Sequence, residues 1–155
     1  MLILRFEAGG DRYGVPAADV EQVVPRVPLR GLPHAAEHLA GLLDYRGEAI
    51  PVVDLAVLLG GPPTPDRLST RIAILSAREP GPGLPARVGL IAEQVRDLTR
   101  ADAGGTVIDE LPLQRVGYLG PFVRIDGRLV QLIRPDRLLA EAVATESASV
   151  PGASP

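Results

Sequence analysis

Short apolar segments alternate with polar positions along most of the chain, and Gly, Pro and Asp residues separate them at close intervals. Leu2, Leu4 and Phe6 fall on one face of the first segment, and a Gly-Gly-Asp turn follows it. Segments of this length with a period of two residues predict β-strands. On this pattern we expect strands over residues 2–7, 12–16, 20–24, 39–45, 48–54, 71–77, 87–94, 118–125 and 128–133.

The first two segments are predicted to form a hairpin around the Gly-Gly-Asp turn, and two further pairs of segments are predicted to do the same. Asp126 and Gly127 separate the last two strands, and an Asp-Gly pair between alternating strands is the strongest short-range hairpin signal. Residues 39–45 and 48–54 form the second pair, with Arg46 and Gly47 at its tip. Pro51 lies inside the second arm and cannot donate a ladder hydrogen bond, so we expect this arm to be an edge strand or to contain a bulge.

Helices are predicted to be few. Residues 55–59 form a short helix capped by Asp54, and a second helix starts at residues 134–136 with Leu138, Leu139 and Val143 on its apolar face. Residues 99–114 are weakly patterned and expected to be loop-rich, and residues 145–155 have the composition of a disordered tail. Many short strands with one or two brief helices indicate an all-β sandwich or barrel.

Composition excludes several classes of chemistry. The 155 residues suffice for one domain or two small packed halves. Cysteine and lysine are absent, which removes disulfides, thiolate metal sites and lysine-based catalysis. The net charge is −3 and the arginines are scattered singly, so we expect no nucleic-acid partner. No apolar run could span a bilayer and the N-terminus lacks a signal-peptide pattern, so we expect a cytoplasmic protein without direct membrane insertion.

The segment His-Ala-Ala-Glu-His at residues 34–38 matches the H-x-x-E-H pattern of one class of zinc protease. On a helix, His34 and His38 could bind zinc while Glu37 acts as a base, as in a small metallohydrolase. The segment follows Pro33 and is flanked by predicted loops, and a small β protein supplies no second helix for a third ligand. We therefore favour a solvated helical turn, with no metal and no other cofactor.

Three carboxylates, Asp44, Glu48 and Asp54, lie close together in sequence, and a hydrolase could use two of them as acid and base. No nucleophile motif or glycine-rich phosphate loop accompanies them. Turn chemistry explains Asp44 and helix capping explains Asp54. We therefore predict no catalytic residue.

Arg46 is the least explained residue of the predicted hairpin tip. It is either a solvated turn residue, paired locally with Asp44 or Glu48, or an interface anchor. Arginine and tyrosine are enriched at interface hot spots, but the residues alone favour neither interpretation.

Several motifs occur in the order typical of the CheW-like adaptor family of bacterial chemosensory systems, which the chain resembles over nearly its whole length. The motifs are Tyr13-Gly14-Val15, Val20-Glu21-Gln22-Val23, Gly41-Leu42-Leu43-Asp44-Tyr45-Arg46-Gly47, Ile50-Pro51-Val52-Val53-Asp54-Leu55, Val88-Gly89-Leu90-Ile91 and Pro135-Asp136-Arg137-Leu138-Leu139. On this resemblance residues 1–144 are the CheW-like domain and residues 145–155 its tail. The wording at residues 42–47 and the short ends resemble adaptors of surface-sensing (Wsp-type) or other alternative pathways more than the flagellar adaptor.

The resemblance implies two packed SH3-like five-stranded β-barrels, with one or two short helices and a C-terminal helix, and it implies no catalysis. It also implies that the protein couples the cytoplasmic tip of a methyl-accepting chemotaxis receptor to the regulatory domain of a CheA-type histidine kinase, at membrane receptor arrays. The residues that it places in the coupling region are Val20, Gln22, Val23, Gly41, Asp44, Tyr45, Arg46 and Gly47.

The chain departs from the family's common pattern at three places. The usual Asn-Leu-Arg-Gly is Asp-Tyr-Arg-Gly at residues 44–47, Gln22 replaces a usual glutamate, and Ala92-Glu93 replaces a usual Val-Asp. These changes bear on the identity of the partner rather than on the fold. A stand-alone SH3-like module that binds a peptide or another regulator is the alternative function within the same fold.

Overall fold

Ten strands in two five-stranded sheets make up most of the fold in this computed structural model, which describes residues 1–102 and 116–149, with side chains up to residue 142. The strands are β1 (Leu2–Ala8), β2 (Asp11–Pro16), β3 (Val20–Pro25), β4 (Leu39–Tyr45), β5 (Glu48–Asp54), β6 (Arg71–Ser76), β7 (Arg87–Ala92), β8 (Leu98–Arg100), β9 (Leu119–Ile125) and β10 (Arg128–Ile133). A 3-10 turn at Ala17–Asp19 and two helices, α1 (Leu55–Leu58) and α2 (Pro135–Ser149), complete the described elements.

The two sheets share one topology. The first sheet has the strand order β8-β1-β2-β10-β9 and the second has the order β3-β6-β7-β5-β4. In each sheet two antiparallel hairpins are joined by one parallel contact, between β2 and β10 in the first and between β7 and β5 in the second. Helix α2 follows β10 as α1 follows β5. Each strand of the first sheet therefore has a counterpart in the second.

The strand register extends this correspondence to single residues. Leu132 lies opposite Gly14 at the parallel contact of the first sheet, and Val52 lies opposite Gly89 in the second. A Cβ added at Gly14 would come within 2.6 Å of an Ile3 side-chain carbon, and a Cβ added at Gly89 within 2.9 Å of Val52. Both positions require glycine for close packing, so folding places the same demand on equivalent positions of the two sheets.

Each sheet curls around its own apolar cluster and packs its other face against its neighbour. Along β1, Ile3 points into the first barrel, whereas Leu4 and Phe6 point into the core shared by both sheets. The interior of the second barrel holds Leu43, Tyr45, Ile50, Val52, Ile72, Ile74 and Ile91. The expected all-β fold of two packed five-stranded barrels, with few helices and a C-terminal helix, is confirmed.

The expectation that β5 is an edge strand is wrong, because β5 lies between β7 and β4. A bulge does occur in this hairpin, but it lies at Leu39 to Gly41 of β4. Pro51 is paired with Leu42, whose backbone N–H and C=O are hydrogen-bonded to Arg30 instead. Pro51 therefore occupies a non-hydrogen-bonded position, where its missing N–H removes no bond to β4.

Strand β8 and helix α2 differ in extent from the elements that the sequence predicts. Strand β8 overlaps the start of the region expected to be loop-rich, residues 99–114, because it pairs with β1, and residues 103–114 of that region lie outside the described residues. Helix α2 extends past residue 144, the predicted end of the domain, to Ser149. Residues 150–155 of the predicted tail are also outside the described part. Neither helix in the described ranges has the length and apolar character to cross a bilayer.

Candidate interaction surface

The tip of the β4–β5 hairpin is a two-residue turn formed by Arg46 and Gly47. Tyr45 pairs with Glu48 directly across it, and φ is 52° at Arg46 and 80° at Gly47. Positive φ at both central positions defines a type I′ turn, which favours Asn, Asp or Gly. For arginine the left-handed conformation costs about 1–2 kcal/mol. The turn itself therefore does not select Arg46.

Arg46 and Tyr45 meet Gln22 of β3 on the surface. The Cζ atom of Arg46 lies 5.0 Å from the centroid of the Tyr45 ring. The Tyr45 hydroxyl donates to Oε1 of Gln22 at 2.6 Å, and Nη2 of Arg46 donates to the same oxygen at 3.2 Å. Tyr45 is buried, while Arg46 and Gln22 are exposed. We call these three residues the Arg46 platform. It connects β3 and β4, the two edge strands of the second sheet.

Arg87, at the start of β7, connects the same two regions. Its guanidinium donates to Glu21 through Nε at 2.6 Å and to Glu48 through Nη1. The hydrogen bond to Glu21, followed by the charges of Glu21 and Glu48, raises the pKa of Arg87 above its ordinary value. Two carboxylates thus neutralise Arg87, whereas Arg46 has no carboxylate within 4.0 Å in the described part of the chain. Arg46 is the exposed cation whose charge this surface leaves uncompensated.

The remaining residues expected in the coupling region have different surroundings. Val20 and Val23 of β3 are half-buried and pack against the shared core, so they hold β3 in place. Asp44 is exposed and, as the neighbour of Tyr45 in β4, points to the opposite face of that strand. The structure therefore brings Gln22, Tyr45 and Arg46 together and leaves Asp44 outside the platform.

The two glycines of this region are required for different reasons. Gly41 is buried with φ of 149°, and a Cβ added there would lie 2.5 Å from the carbonyl oxygen of Arg30 and 2.9 Å from Cβ of Leu29. Gly47 is exposed, and a Cβ added there would meet no atom within 4 Å. The absence of a side chain at Gly41 lets the Leu29–Arg30 backbone lie close against β4, whereas Gly47 is needed only for the positive φ of the turn.

The segment with the H-x-x-E-H pattern does not form the expected helical turn. It consists of separate turns, with His34 at φ of 67°, and among the described residues no group of three His, Asp or Glu side chains is placed to hold a metal ion. His38 is buried, and its Nε2 lies 2.9 Å from the carbonyl oxygen of Ala142 in α2. A carbonyl only accepts, so Nε2 carries a proton and donates. His38 therefore attaches α2 to the start of β4.

Two of the three carboxylates considered for acid–base chemistry lie far apart in the structure. Glu48 and Asp54 are at opposite ends of β5, about 20 Å apart along the strand, beyond the separation of a glycosidase pair. Asp54 is buried and accepts hydrogen bonds from the N–H of Ala56 and from the N–H and hydroxyl of Thr64, at 3.2, 2.9 and 2.7 Å. The predicted helix-capping role of Asp54 is confirmed.

Sequence reasoning missed Arg87 and the contact made by His38. Arg87 opens a predicted apolar strand, and its two partners are 66 and 39 residues away in sequence. The partner of His38 is 104 residues away. No local pattern marks either residue. The sequence shows only that a charged Arg87 and an imidazole at His38 stand next to apolar strands. This observation indicates a contact only when the strand order is known.

Comparison with known proteins places this geometry in a family. A family model described as the CheW-like domain matches residues 2–143. A probable chemotaxis protein CheW from Rhizobium etli is 24% identical over 147 residues, covering 90% of this chain and 87% of that protein. The crystal structure of the scaffolding protein TtCheW from Thermoanaerobacter tengcongensis matches with a TM-score of 0.73 at 24% identity, covering 85% of this chain and 82% of that chain. The structural likeness shows a shared fold, and the family model spans both barrels. The chain therefore belongs to the family of CheW-like domains.

Proposed function

We propose that this protein is a non-catalytic adaptor of a bacterial chemosensory pathway. It couples the cytoplasmic tip of a methyl-accepting chemotaxis receptor to the regulatory domain of a CheA-type histidine kinase. Membership of the CheW-like family supports an adaptor role, and the relatives it matches are named as a chemotaxis protein and a scaffolding protein. The specific partners are part of the proposal.

The observation that carries the proposal is the Arg46 platform. Arginine is unfavourable in a type I′ turn, yet it stands there with its charge uncompensated and its side chain supported by Tyr45 and Gln22. Stacking and the shared acceptor restrict the rotamers of Arg46 before any partner binds, which lowers the entropy lost on binding. A pre-positioned, unneutralised guanidinium is suited to a carboxylate or carbonyl of a partner.

The same features favour a contact that sets orientation rather than one that supplies great affinity. A charge at the rim of an interface acts mainly on association rate and register. Modest contacts of this kind gain strength when many copies assemble, as they would at a receptor array beneath the membrane. In this proposal the protein is cytoplasmic and is recruited to such arrays by its partners.

The test uses Arg46→Asn, because asparagine suits a type I′ turn while removing the guanidinium. Binding to a receptor tip fragment and to the kinase regulatory domain is measured by titration for the wild-type protein and the variant. Loss of an arginine hot spot of about 2 kcal/mol predicts roughly 30-fold weaker binding to at least one partner. Asp126→Asn introduces the same residue at the equivalent position of the first barrel's turn, so it is the matched control and should bind as the wild type does.

Equal affinities of wild-type protein and folded Arg46→Asn for both partners would show that the platform is not the coupling site. Failure of the wild-type protein to bind either partner would remove the adaptor function itself. In that case the stand-alone SH3-like module that binds a peptide or another regulator would take its place.

A further inference from the structure

A cavity of about 430 Å³ opens at the end of the first barrel where its hairpin turns lie. Its lining consists of four arginines, two carboxylates and two apolar residues of the barrel interior, namely Arg5, Arg12, Arg96, Arg128, Glu7, Asp126, Ile125 and Val130. None of these residues belongs to the Arg46 platform, which lies on the second barrel. The cavity is therefore separate from the proposed interaction surface.

Arg5 occupies a position that folding would fill with an apolar side chain. It follows Ile3 by two residues on β1 and therefore points into the first barrel. The register pairs Arg5 with Gly14, and the equivalent pair in the second sheet is Ile74 with Gly89. Ile74 is fully buried. A charge thus stands in the first barrel where the second barrel has an isoleucine.

The hydrogen bonding of Arg5 is incomplete. Its Nε is buried and has no hydrogen-bond partner among the residues that the structure describes. Within the described residues its carboxylate contact is from Nη1 to Asp126 at 3.6 Å, and the side chain of Asp126 is 76% exposed. An exposed ion pair at this distance contributes little, and an unsatisfied buried polar atom is unfavourable. A ligand that accepts a hydrogen bond from Arg5 would remove that cost.

The other charges make the cavity electropositive. Arg12, Arg96 and Arg128 are exposed, and none of them has a carboxylate within 4.0 Å in residues 1–102 and 116–142. Glu7 and Asp126 are the acidic groups of the lining. Four positive and two negative charges give the lining residues a net charge of +2.

We propose that this cavity binds a compact phosphate-bearing anion, either free or as the end group of a small metabolite. Guanidinium groups bind phosphate oxygens through paired N–H donors, and a phosphate group with a charge near −2 at neutral pH balances the lining. Ile125 and Val130 are almost fully buried and close the inner end of the cavity, so the surface offered to a ligand is chiefly polar. An extended acidic peptide suits the site less well, because its carboxylates are spread along the chain, whereas a phosphate group offers several oxygens on one compact centre to the guanidinium groups of a single cavity.

The test is calorimetric titration of the full chain with inorganic phosphate and with pyrophosphate, in a low-salt buffer free of both anions. We expect saturable binding that is tighter for pyrophosphate and weakens as salt is added. Arg5→Ile, which copies Ile74, should remain folded and bind at least tenfold more weakly. Arg100→Gln removes an exposed arginine of the same sheet that does not line the cavity, and its affinity should stay within twofold of the wild-type value.

Arg128→Gln keeps the test informative if Arg5→Ile does not fold, because Arg128 is exposed at the rim and its loss should weaken binding severalfold without lowering the unfolding midpoint. Absence of saturable binding of either anion to the wild-type protein would overturn the proposal, and so would equal weakening by Arg100→Gln. Binding of a glutamate-rich peptide with no binding of phosphate or pyrophosphate would also overturn it, in favour of a docking site for an acidic protein segment.

Discussion

Alanine at Gly41 and alanine at Gly47 should have very different effects, although both glycines flank the Arg46 platform. At Gly41 the new Cβ would lie 2.5 Å from the carbonyl oxygen of Arg30, on a backbone with φ of 149°. At Gly47 φ is 80° and the new Cβ would meet no atom within 4 Å. The first substitution combines backbone strain with a steric clash, and the second introduces backbone strain alone.

The magnitudes follow from these two terms. Strain at a conformation that L-residues rarely adopt costs about 1–3 kcal/mol, and overpacking costs about 1–3 kcal/mol. The Arg30 segment cannot move away cheaply, because it is hydrogen-bonded to Leu42 in both directions. We therefore expect Gly41→Ala to lower the free energy of unfolding by about 2–6 kcal/mol. For Gly47→Ala, strain of about 1–2 kcal/mol is offset by about 0.4–1 kcal/mol from the restricted unfolded chain.

Urea unfolding followed by circular dichroism measures both effects. With a slope of about 1–3 kcal/mol per molar urea, the midpoint should fall by on the order of 2 M for Gly41→Ala and by well under about 1 M for Gly47→Ala. Gly47→Ala keeps Arg46 and should keep partner binding, whereas Gly41→Ala should lose binding only together with stability. Equal midpoints for the two variants would refute the close approach of Arg30 to Gly41 as the reason for this glycine.

Three further predictions concern buried polar groups. His38→Ala removes the hydrogen bond to the Ala142 carbonyl and should cost about 1–3 kcal/mol, with faster amide exchange in α2. Stabilisation of the wild-type protein by added zinc that is absent from His38→Ala would contradict the structural role. Asp54→Ala removes the acceptor of the Thr64 and helix-capping bonds and should cost about 2–4 kcal/mol in urea unfolding. Burial raises the pKa of Tyr118 to about 12, so this hydroxyl loses its proton at a lower pH in the unfolded chain than in the folded protein. The free energy of unfolding should therefore fall between pH 10 and pH 12, by on the order of 2 kcal/mol. Tyr118→Phe should show a smaller fall over the same pH range.

The strands were predictable because their signals are local. Alternating apolar positions, and turn residues such as Asp126 and Gly127, act over a few residues and specify where each strand begins and ends. The capping role of Asp54 was predictable for the same reason, since the cap and the start of α1 are adjacent. The edge position expected for Pro51 failed because strand order depends on partners far away in sequence.

The candidate site was predictable only in part, because its contacts are made by topology. Arg46 and Tyr45 are neighbours in the chain, but Gln22 reaches them only because the second sheet brings its two edge strands together. The same closure brings Glu21 and Glu48 to Arg87. No spacing of residues in the sequence encodes these pairings. The resemblance of motifs indicates which residues belong to the coupling region, but not which of them are in contact.

The correspondence between the two barrels separates the demands of folding from those of function. The two hairpin tips share one backbone, with φ of 52° at both Arg46 and Asp126, and Asp126 is the residue type that such a turn favours. In the barrel interiors Ile74 is the type that burial favours, and Arg5 is not. At each pair of equivalent positions one barrel has the residue type that the local structure favours, Asp126 or Ile74, and the other barrel has an arginine. Because equivalent positions meet the same demands, folding alone selects neither arginine, and since the two arginines lie on different barrels, we expect that each can be replaced without disturbing the site of the other.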